Sequence, residues 1–224
     1  MKSRFATSEN KNKFEASSLL ILDDFLPKTL ALDLLKESQR HQYEQIKQVR
    51  EKHYTHVFKS NLAHFPTPSE EYLASFKKAD SLSKNALVQE IFLQHIKPMC
   101  EFLSNNKDNF YTRPMCVKMA TNDLFRIHQD TYGGELGYNF YYPESWTWDW
   151  GGIVYYFLPN EKKYPILPKF NRMVFRKEKP STALYHYVSP IATYSKKERY
   201  TINGWCSSID LSSNQRVFGK YEKR

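Results

Sequence analysis

The sequence predicts an α+β fold, in which helices in the first half of the chain pack against a β-barrel or β-sandwich in the second half. Two observations lead to this prediction. Before about residue 109, apolar residues tend to recur at three-to-four-residue spacing, as in helices. From residue 110, short runs rich in Val, Ile, Tyr, Phe and Thr alternate with Gly, Pro and Asn, as in a barrel or sandwich. With 224 residues, 41% of them hydrophobic, the chain can form one domain with a sizeable core.

The first half begins with a polar stretch, residues 1–13, that we expect to be a flexible tail. The short apolar run at residues 19–25 suits an edge strand. Residues 27–53 have leucines at helical spacing with Pro27 near the start, which predicts a helix. A further helix is expected over residues 83–106, kinked at Pro98. Residues 14–109 are therefore expected to be mainly helical support.

The second half contains a series of short strand-like runs. They are "MCVKMA", "LGYNFYY", "GIVYYFL", "RMVFRK", "ALYHYV" and "RYTINGWCSS". We expect residues 110–210 to form the β-core and residues 14–224 to be a single domain.

The net charge of +9 favours acidic partners, and binding to RNA or to a membrane surface has to be considered. The Lys and Arg residues are scattered in short clusters, however, which is typical of a solvated basic surface. Three widely spaced cysteines suit free thiols in a reducing compartment. Because the N-terminus has no apolar signal region and no apolar run reaches 18 residues, we expect a cytoplasmic protein with no membrane segment.

The candidate site lies in the run "FRIHQDTYGGELGYNFYY", residues 125–142. Residues i and i+2 of a strand face the same side, so His128 and Asp130 can bind one cation together. Two ligands hold a metal poorly. A third is available in His186, the only other histidine of the β half. Two His and one carboxylate form the facial triad of non-haem Fe(II) oxygenases. The alternatives are a surface His–Asp pair and a core histidine.

The run "ERYTINGW", residues 198–205, predicts an anion site. Arg199, Thr201, Asn203 and Trp205 would share one inward face. No acidic residue in the same run obviously pairs with Arg199, and a buried guanidinium binds a carboxylate in a two-pronged manner. A ligand carboxylate is therefore a reasonable partner, with a structural salt bridge as the alternative.

In the order of these motifs the chain resembles the Fe(II)/2-oxoglutarate-dependent dioxygenases, and within them the prolyl-hydroxylase-like branch. The resemblance covers about residues 110–207. It rests on "HQD" (128–130), "YYPESW" (141–146), "GGIVYYF" (151–157), "PKFNR" (168–172), "HYVSP" (186–190) and "RYTINGW" (199–205). It implies a double-stranded β-helix core, of the jelly-roll or cupin-like kind, with the N-terminal helices packed against it.

The resemblance also assigns roles to residues. It implies Fe(II) ligands at His128, Asp130 and His186, and it makes O₂ the oxidant with ascorbate as a reductant. The 2-oxoglutarate site it implies comprises Arg199 and Thr201, then Tyr141 as a further hydrogen-bonding residue, and Trp205 and Val188 as walls.

Two positions depart from the pattern of relatives. Met119 stands where relatives often have a tyrosine, and Asn139 occupies an inward position that is usually apolar. Both are expected on the substrate side, as are Thr131, Tyr132 and Glu135, which follow the His-x-Asp motif. These departures leave the class of substrate open.

The function expected from the resemblance is hydroxylation of a C–H bond with release of succinate and CO₂. The substrate would be a protein side chain, with proline as the first guess, or a small molecule. A nucleic-acid substrate is not favoured, because the run after His186 lacks the second Arg of the demethylase branch. The alternatives are a basic RNA- or protein-binding module with a structural or inactive metal site, and a cupin-like metal enzyme that does not use 2-oxoglutarate.

Overall fold

The structure is a computed structural model that describes residues 3–48, 74–107, 110–111, 114–128, 130, 135–158, 163–178 and 184–207. Its α-helices lie in the first half of the chain, and a 3₁₀ turn lies at Trp148–Trp150. The α-helices are α1 (Ser8–Ser17), α2 (Lys28–Arg40), α3 (Asp80–Ser83), α4 (Ala86–Ile91) and α5 (Lys97–Ser104), and a π-helical turn at Phe92–Ile96 joins the last two.

Helix α1 replaces part of the expected N-terminal tail. The Thr7 hydroxyl caps the helix by accepting a hydrogen bond from the Asn10 amide at 3.2 Å. Phe14 is buried in the core, and the ring of Phe5 stacks on that of Phe25 with centroids 5.7 Å apart. The segment is polar on average, but these aromatic side chains pack against the core and hold it in place.

Helix α2 is shorter than the expected helix over residues 27–53, which is wrong beyond Arg40. The buried face of α2 ends with the small residue Ser38, and the next large apolar residues, Tyr43 and Ile46, are too sparse to continue it. Strand β2 (Glu44–Gln48) follows instead and pairs with β3 (Ala74–Lys78). Pro98 lies in the first turn of α5, where its missing N–H is harmless.

The remaining strands form one curled antiparallel sheet. They are β1 (Leu19–Leu22), β4 (Phe110–Tyr111), β5 (Met115–Met119), β6 (Leu124–His128), β7 (Leu136–Tyr141), β8 (Val154–Phe157), β9 (Lys163–Ile166), β10 (Arg172–Lys177), β11 (His186–Val188) and β12 (Arg199–Ser207). The strand order is β1-β10-β7-β12-β5-β3-β6-β11-β8-β9, with β2 beside β3 and β4 beside β12.

Strand alternation divides the apolar residues into two cores. On β12, Tyr200, Ile202 and Cys206 face the helices, and the same core takes Phe140 of β7 and Phe175 of β10. The other face of the sheet, which lines the barrel, contributes a second core; its members include Tyr141, Val174 and Tyr156. The site residues of β12 are on this second face. The two-sided burial confirms the predicted α+β class and explains why the functional strands are almost continuously buried.

Close packing of the helix-facing core depends on one glycine. A Cβ at Gly204 of β12 would lie 2.2 Å from the hydroxyl of Tyr138, a fully buried side chain of β7. The absence of a side chain on β12 therefore admits the Tyr138 ring. No helix within the described part of the chain is long and apolar enough to cross a membrane.

Candidate metal centre

Strand pairing brings the two histidines of the β half together. His128 ends β6 and His186 begins β11, and their Cα atoms are direct partners in the antiparallel register. Side chains at such partner positions are near neighbours on one face of the sheet. The two imidazole rings accordingly lie 4.3 Å apart between centroids, with an interplanar angle of 52°.

Backbone contacts determine which nitrogen of each ring is available. The Nδ1 of His128 donates to the carbonyl oxygen of Arg126 at 2.5 Å, and the Nδ1 of His186 donates to that of Leu184 at 3.0 Å. Because a carbonyl oxygen only accepts, each Nδ1 carries the proton in these contacts. The Nε2 atoms therefore present lone pairs, the form in which imidazole binds a metal.

Asp130 completes the group two residues after His128. Its Oδ1 is 3.5 Å from the Nε2 of His128, and its Oδ2 is 3.6 Å from the Nε2 of His186. One donor atom from each of the three residues lies within 4.8 Å of the other two, the one such group of His, Cys, Asp or Glu found in the described ranges. The sequence placed these three residues in one site, and the structure brings them together.

The electrostatics of the group suit a cation. Burial would raise the pKa of Asp130, but the neighbouring His128, His186 and Arg176 lower it, and the net pKa lies well below the usual carboxyl range. Burial, followed by the neighbouring His128 and opposed by Asp130, lowers the pKa of His186 to about 3. At neutral pH the carboxylate is therefore ionised and the His186 imidazole is neutral, so both act as donors.

Arg199, the first residue of β12, lies in the barrel with only 3% of its surface exposed. Its Nη1 contacts the sulfur of Met119 at 2.9 Å, and its guanidinium carbon is 5.0 Å from the ring centroid of Tyr141. Its Nε has no hydrogen-bond partner, and no Asp or Glu among the described residues forms an ion pair with it. Burial lowers the pKa of Arg199, with Tyr141 opposing.

Thr201 and Tyr141 lie beside Arg199 as cross-strand partners between β12 and β7. Both are fully buried, and neither hydroxyl has a hydrogen-bond partner in normal geometry. A buried cation and two buried hydroxyls left unsatisfied in one barrel are costly unless a ligand satisfies them. This set of donors fits the carboxylate of a cosubstrate, and the His, Asp, His set fits a divalent metal.

The other sequence-predicted residues are distributed around these two groups. Val188 is buried in the barrel core, and Trp205 is half-buried on the barrel face of β12. Asn139 donates from Nδ2 to the Oδ1 of Asn203 at 2.6 Å, and Met119 lies beside Arg199. The Glu135 amide donates to the Cys206 carbonyl at 2.7 Å. Thr131 and Tyr132 lie outside the described residues.

Two charged residues of the site were not recognised from the sequence. Arg176 of β10 donates from Nη2 to the Oδ2 of Asp130 at 2.6 Å, and it forms an ion pair with Glu178. Both side chains are nearly or fully buried. A signal was present: Val174, Arg176 and Glu178 follow one another at two-residue spacing, and Val174 faces the barrel.

Comparison with known proteins gives one family match, over the β half of the chain. Residues 115–207 match the model of the 2OG-Fe(II) oxygenase superfamily. No curated protein sequence matches the chain. Among solved structures, a Pseudomonas putida prolyl-4-hydroxylase superposes with a TM-score of 0.65 at 14% identity, covering 90% of this chain and 98% of its own.

Two further solved structures show the range of chemistry associated with this fold. A Trichoplax adhaerens prolyl hydroxylase, in complex with a hypoxia inducible factor peptide fragment, superposes with a TM-score of 0.63 at 16% identity, covering 92% of this chain and 90% of its own. The epimerase SnoN, in complex with Fe3+, alpha ketoglutarate and nogalamycin RO, gives a TM-score of 0.62 at 8% identity, covering 89% and 82%. These likenesses confirm the predicted double-stranded β-helix fold.

Proposed function

Because residues 115–207 of this chain match the model of the 2OG-Fe(II) oxygenase superfamily, a family that uses Fe(II) and 2-oxoglutarate, we propose that the chain is an oxidoreductase that hydroxylates a C–H bond. His128, Asp130 and His186 would bind the Fe(II). The observation that carries this proposal is the convergence of three donor atoms within 4.8 Å of one another. Two come from the ends of paired strands, and the third comes from Asp130, two residues beyond the end of β6.

The two imidazoles and the carboxylate would occupy one part of the metal's coordination sphere. In a facial set of two His and one carboxylate, three positions of a six-coordinate ion remain for small ligands. When bound, Fe(II) and 2-oxoglutarate would supply the oxidation of a C–H bond by O₂, with succinate and CO₂ as coproducts.

The chain's own contribution to cosubstrate binding comes from Arg199, Thr201 and Tyr141. Arg199 would bind the far carboxylate of 2-oxoglutarate in a charge-assisted manner. Burial raises the pKa of Tyr141, so its phenol stays protonated at neutral pH and can donate to the same carboxylate. Thr201 can donate from its hydroxyl, while Val188 and Trp205 would exclude water from the pocket.

The substrate we propose is a protein side chain, with proline as the first candidate. Two of the similar solved structures are prolyl hydroxylases, one of them bound to a peptide. The net charge of +9 favours acidic sequence around the target residue. Thr131, Tyr132, Glu135, Asn139 and Met119 are the residues proposed to face the substrate. A small-molecule substrate is the alternative.

The metal and cosubstrate roles can be tested without a substrate. Anaerobic addition of Fe(II) and 2-oxoglutarate to the purified chain should give the weak visible charge-transfer band of the chelate. Arg199→Ala should weaken the band, and Asp130→Ala should abolish it. Arg172→Ala, which removes a half-buried Arg of β10 outside the site, should leave the band unchanged. A wild-type protein without a band would refute the proposed use of Fe(II) and 2-oxoglutarate.

The substrate class needs a separate measurement. In assays containing Fe(II), 2-oxoglutarate, O₂ and ascorbate, peptides with a central proline and acidic neighbours should stimulate succinate formation and gain one oxygen atom by mass spectrometry. Matched peptides with basic neighbours should stimulate it less, because the chain is strongly basic. If neither peptide set stimulates succinate formation, a small-molecule substrate is favoured instead.

A further inference from the structure

A buried guanidinium lies directly behind the metal-ligand carboxylate. Arg176 is 2% exposed and donates from Nη2 to the Oδ2 of Asp130 at 2.6 Å. Its Nη1 donates to the Oδ1 of Asn139, and its Nε side faces Glu178 in an ion pair. All three nitrogens of the guanidinium therefore face an oxygen of a neighbouring side chain.

The sheet provides room for the Arg176–Glu178 pair. Gly137 of β7 is the direct cross-strand partner of Arg176. A Cβ at this glycine would lie 2.6 Å from the Oε1 of Glu178 and 2.8 Å from the Cζ of Arg176. Those separations are shorter than van der Waals contact, so any side chain at Gly137 would displace the pair. The space for these two charges therefore depends on the one residue type without a Cβ.

We propose that Arg176 is a positioning residue for Asp130. This inference rests on the proposed function, because it concerns how the ligand carboxylate is held for the metal. By binding Oδ2, Arg176 fixes the rotation of the carboxylate about its last bond and orients its oxygens toward the two Nε2 atoms. Hydrogen bonds that orient a ligating carboxylate typically strengthen its binding of the metal.

Glu178 has the complementary task of balancing charge. Arg176 alone would neutralise the charge that Asp130 offers to a cation. With Glu178 ionised beside Arg176, the pair has no net charge, so the group of three keeps one negative charge at Asp130. Burial raises the pKa of Glu178, and Arg176 opposes that rise by favouring the ionised carboxylate. Glu178 is fully buried and contacts Arg176 as its cationic partner, which indicates a role inside the barrel and not at the surface.

Asn139 holds the third side of the guanidinium. Its Nδ2 donates to the Oδ1 of Asn203 at 2.6 Å, so its own Oδ1 is the atom directed at Arg176. This gives a physical reason for a polar residue at the inward position of Asn139. The hydrogen-bonded series Asn203–Asn139–Arg176–Asp130 runs from β12 through β7 and β10 to a residue two positions beyond the end of β6.

The test is metal affinity in the chelator-treated full chain, measured by anaerobic titration with Co(II) and its visible ligand-field absorption. The main variant is Arg176→Met combined with Glu178→Gln. It removes one positive and one negative charge together, so the net charge near the metal stays constant while Asp130 loses its partner. Arg176→Lys is the second variant, because a lysine keeps the charge but cannot bridge two carboxylates. The control is Arg172→Met, on the same strand.

We expect the double variant and Arg176→Lys to bind Co(II) roughly 10- to 100-fold more weakly, with an altered absorption spectrum, and the control to bind like wild type. If both Arg176 variants bind Co(II) within about threefold of wild type, below that range, Arg176 has no positioning role and only this inference fails. If wild type itself does not bind Co(II), the proposed metal centre fails as well. Because affinity and spectrum are read in the absence of turnover, a purely catalytic defect does not affect the result.

Discussion

Two arginines are buried in the same barrel, and their surroundings are opposite. Arg176 is in contact with the carboxylates of Asp130 and Glu178. Arg199 is in contact with a methionine sulfur and a tyrosine ring, and its Nε has no partner. A guanidinium without an anion is expensive to bury, whereas a paired one can be close to neutral in energy.

The pKa shifts express the same difference. Burial lowers the pKa of both arginines. At Arg176 the carboxylates of Glu178 and Asp130, together with Tyr156, overcome that effect, and the net pKa is raised. At Arg199 burial prevails and the net pKa is lowered. The barrel therefore satisfies one cation with its own groups and gives the other no anionic partner among the described residues. This difference fits the two proposed roles, in which Arg176 holds the site and Arg199 binds the cosubstrate.

The largest expected effect comes from removing the satisfied cation. Arg176→Met should lower the free energy of unfolding of the metal-free chain by about 3–5 kcal/mol, because it leaves the fully buried Glu178 and the half-buried Asp130 without their common partner. Urea denaturation followed by circular dichroism measures this. Arg172→Met is the matched control. A loss below about 1 kcal/mol would mean that Arg176 is no better satisfied than Arg199.

Removing Arg199, the cation without an anionic partner, should affect ligand binding and not stability. Arg199→Met should leave the stability of the metal-free chain unchanged or slightly raised, because no carboxylate loses a partner. It should weaken 2-oxoglutarate binding by about 2–5 kcal/mol, which is roughly 30-fold or more. Anaerobic titration of the Fe(II)-loaded protein with 2-oxoglutarate measures the affinity. Unchanged affinity would remove the distinction between the two arginines.

The residues at Arg199 could be found from the sequence because their signal is local. Arg199, Thr201 and Asn203 alternate on one strand, and the acidic residue of the same run, Glu198, alternates onto the opposite face. His128 and Asp130 are likewise two residues apart. Period-two alternation and order along the chain were enough to place them on one face, and the barrel class followed from the same pattern.

Arg176 and Glu178 were missed because their role depends on contacts with residues that are distant in the sequence. Within "RMVFRKEK" they alternate with Val174 but resemble the charged end of a strand, and only the sheet order β10-β7-β12 shows that their face lies inside the barrel. Their proximity to Asp130 comes from a contact 46 positions apart in the chain. The helix over residues 27–53 was overextended for a similar reason, since pairing with β3 decides the conformation of Glu44–Gln48.

A smaller effect should follow from filling the space opposite Arg176. Gly137→Ala places a Cβ 2.6 Å from the Oε1 of Glu178, and the forced displacement should cost about 1–3 kcal/mol of stability. In the background of Arg176→Met and Glu178→Gln the same change should cost clearly less, because those uncharged side chains lack the ion pair that holds the displaced groups in place. This double-mutant cycle isolates the coupling. Equal costs in both backgrounds would show that the glycine does not serve the pair.

The smallest effect concerns the third arginine of the comparison, Arg172, whose partner is partly exposed. Arg172 binds Asp23 through Nε at 2.6 Å and Nη2 at 2.9 Å, and the hydrogen bond from Arg172 lowers the pKa of Asp23 to about 2. Because the Asp23 side chain is 36% exposed, solvent screening limits the pair to at most about 1 kcal/mol. A depressed carboxyl pKa stabilises the fold at neutral pH, and that contribution is lost as the pH falls from about 4 toward 2.

Asp23→Asn should therefore be slightly less stable than wild type at pH 7, with the difference shrinking as the pH falls through the folded pKa of about 2. Adding salt at pH 7 should also reduce the difference, because an exposed pair is screened by ions whereas a buried one is not. Urea denaturation at several pH values, for both proteins, measures it. A difference that does not change with pH would assign the stability of this contact to packing and hydrogen bonding instead of charge. The Arg172–Asp23 pair could then no longer serve as the partly exposed reference for Arg176.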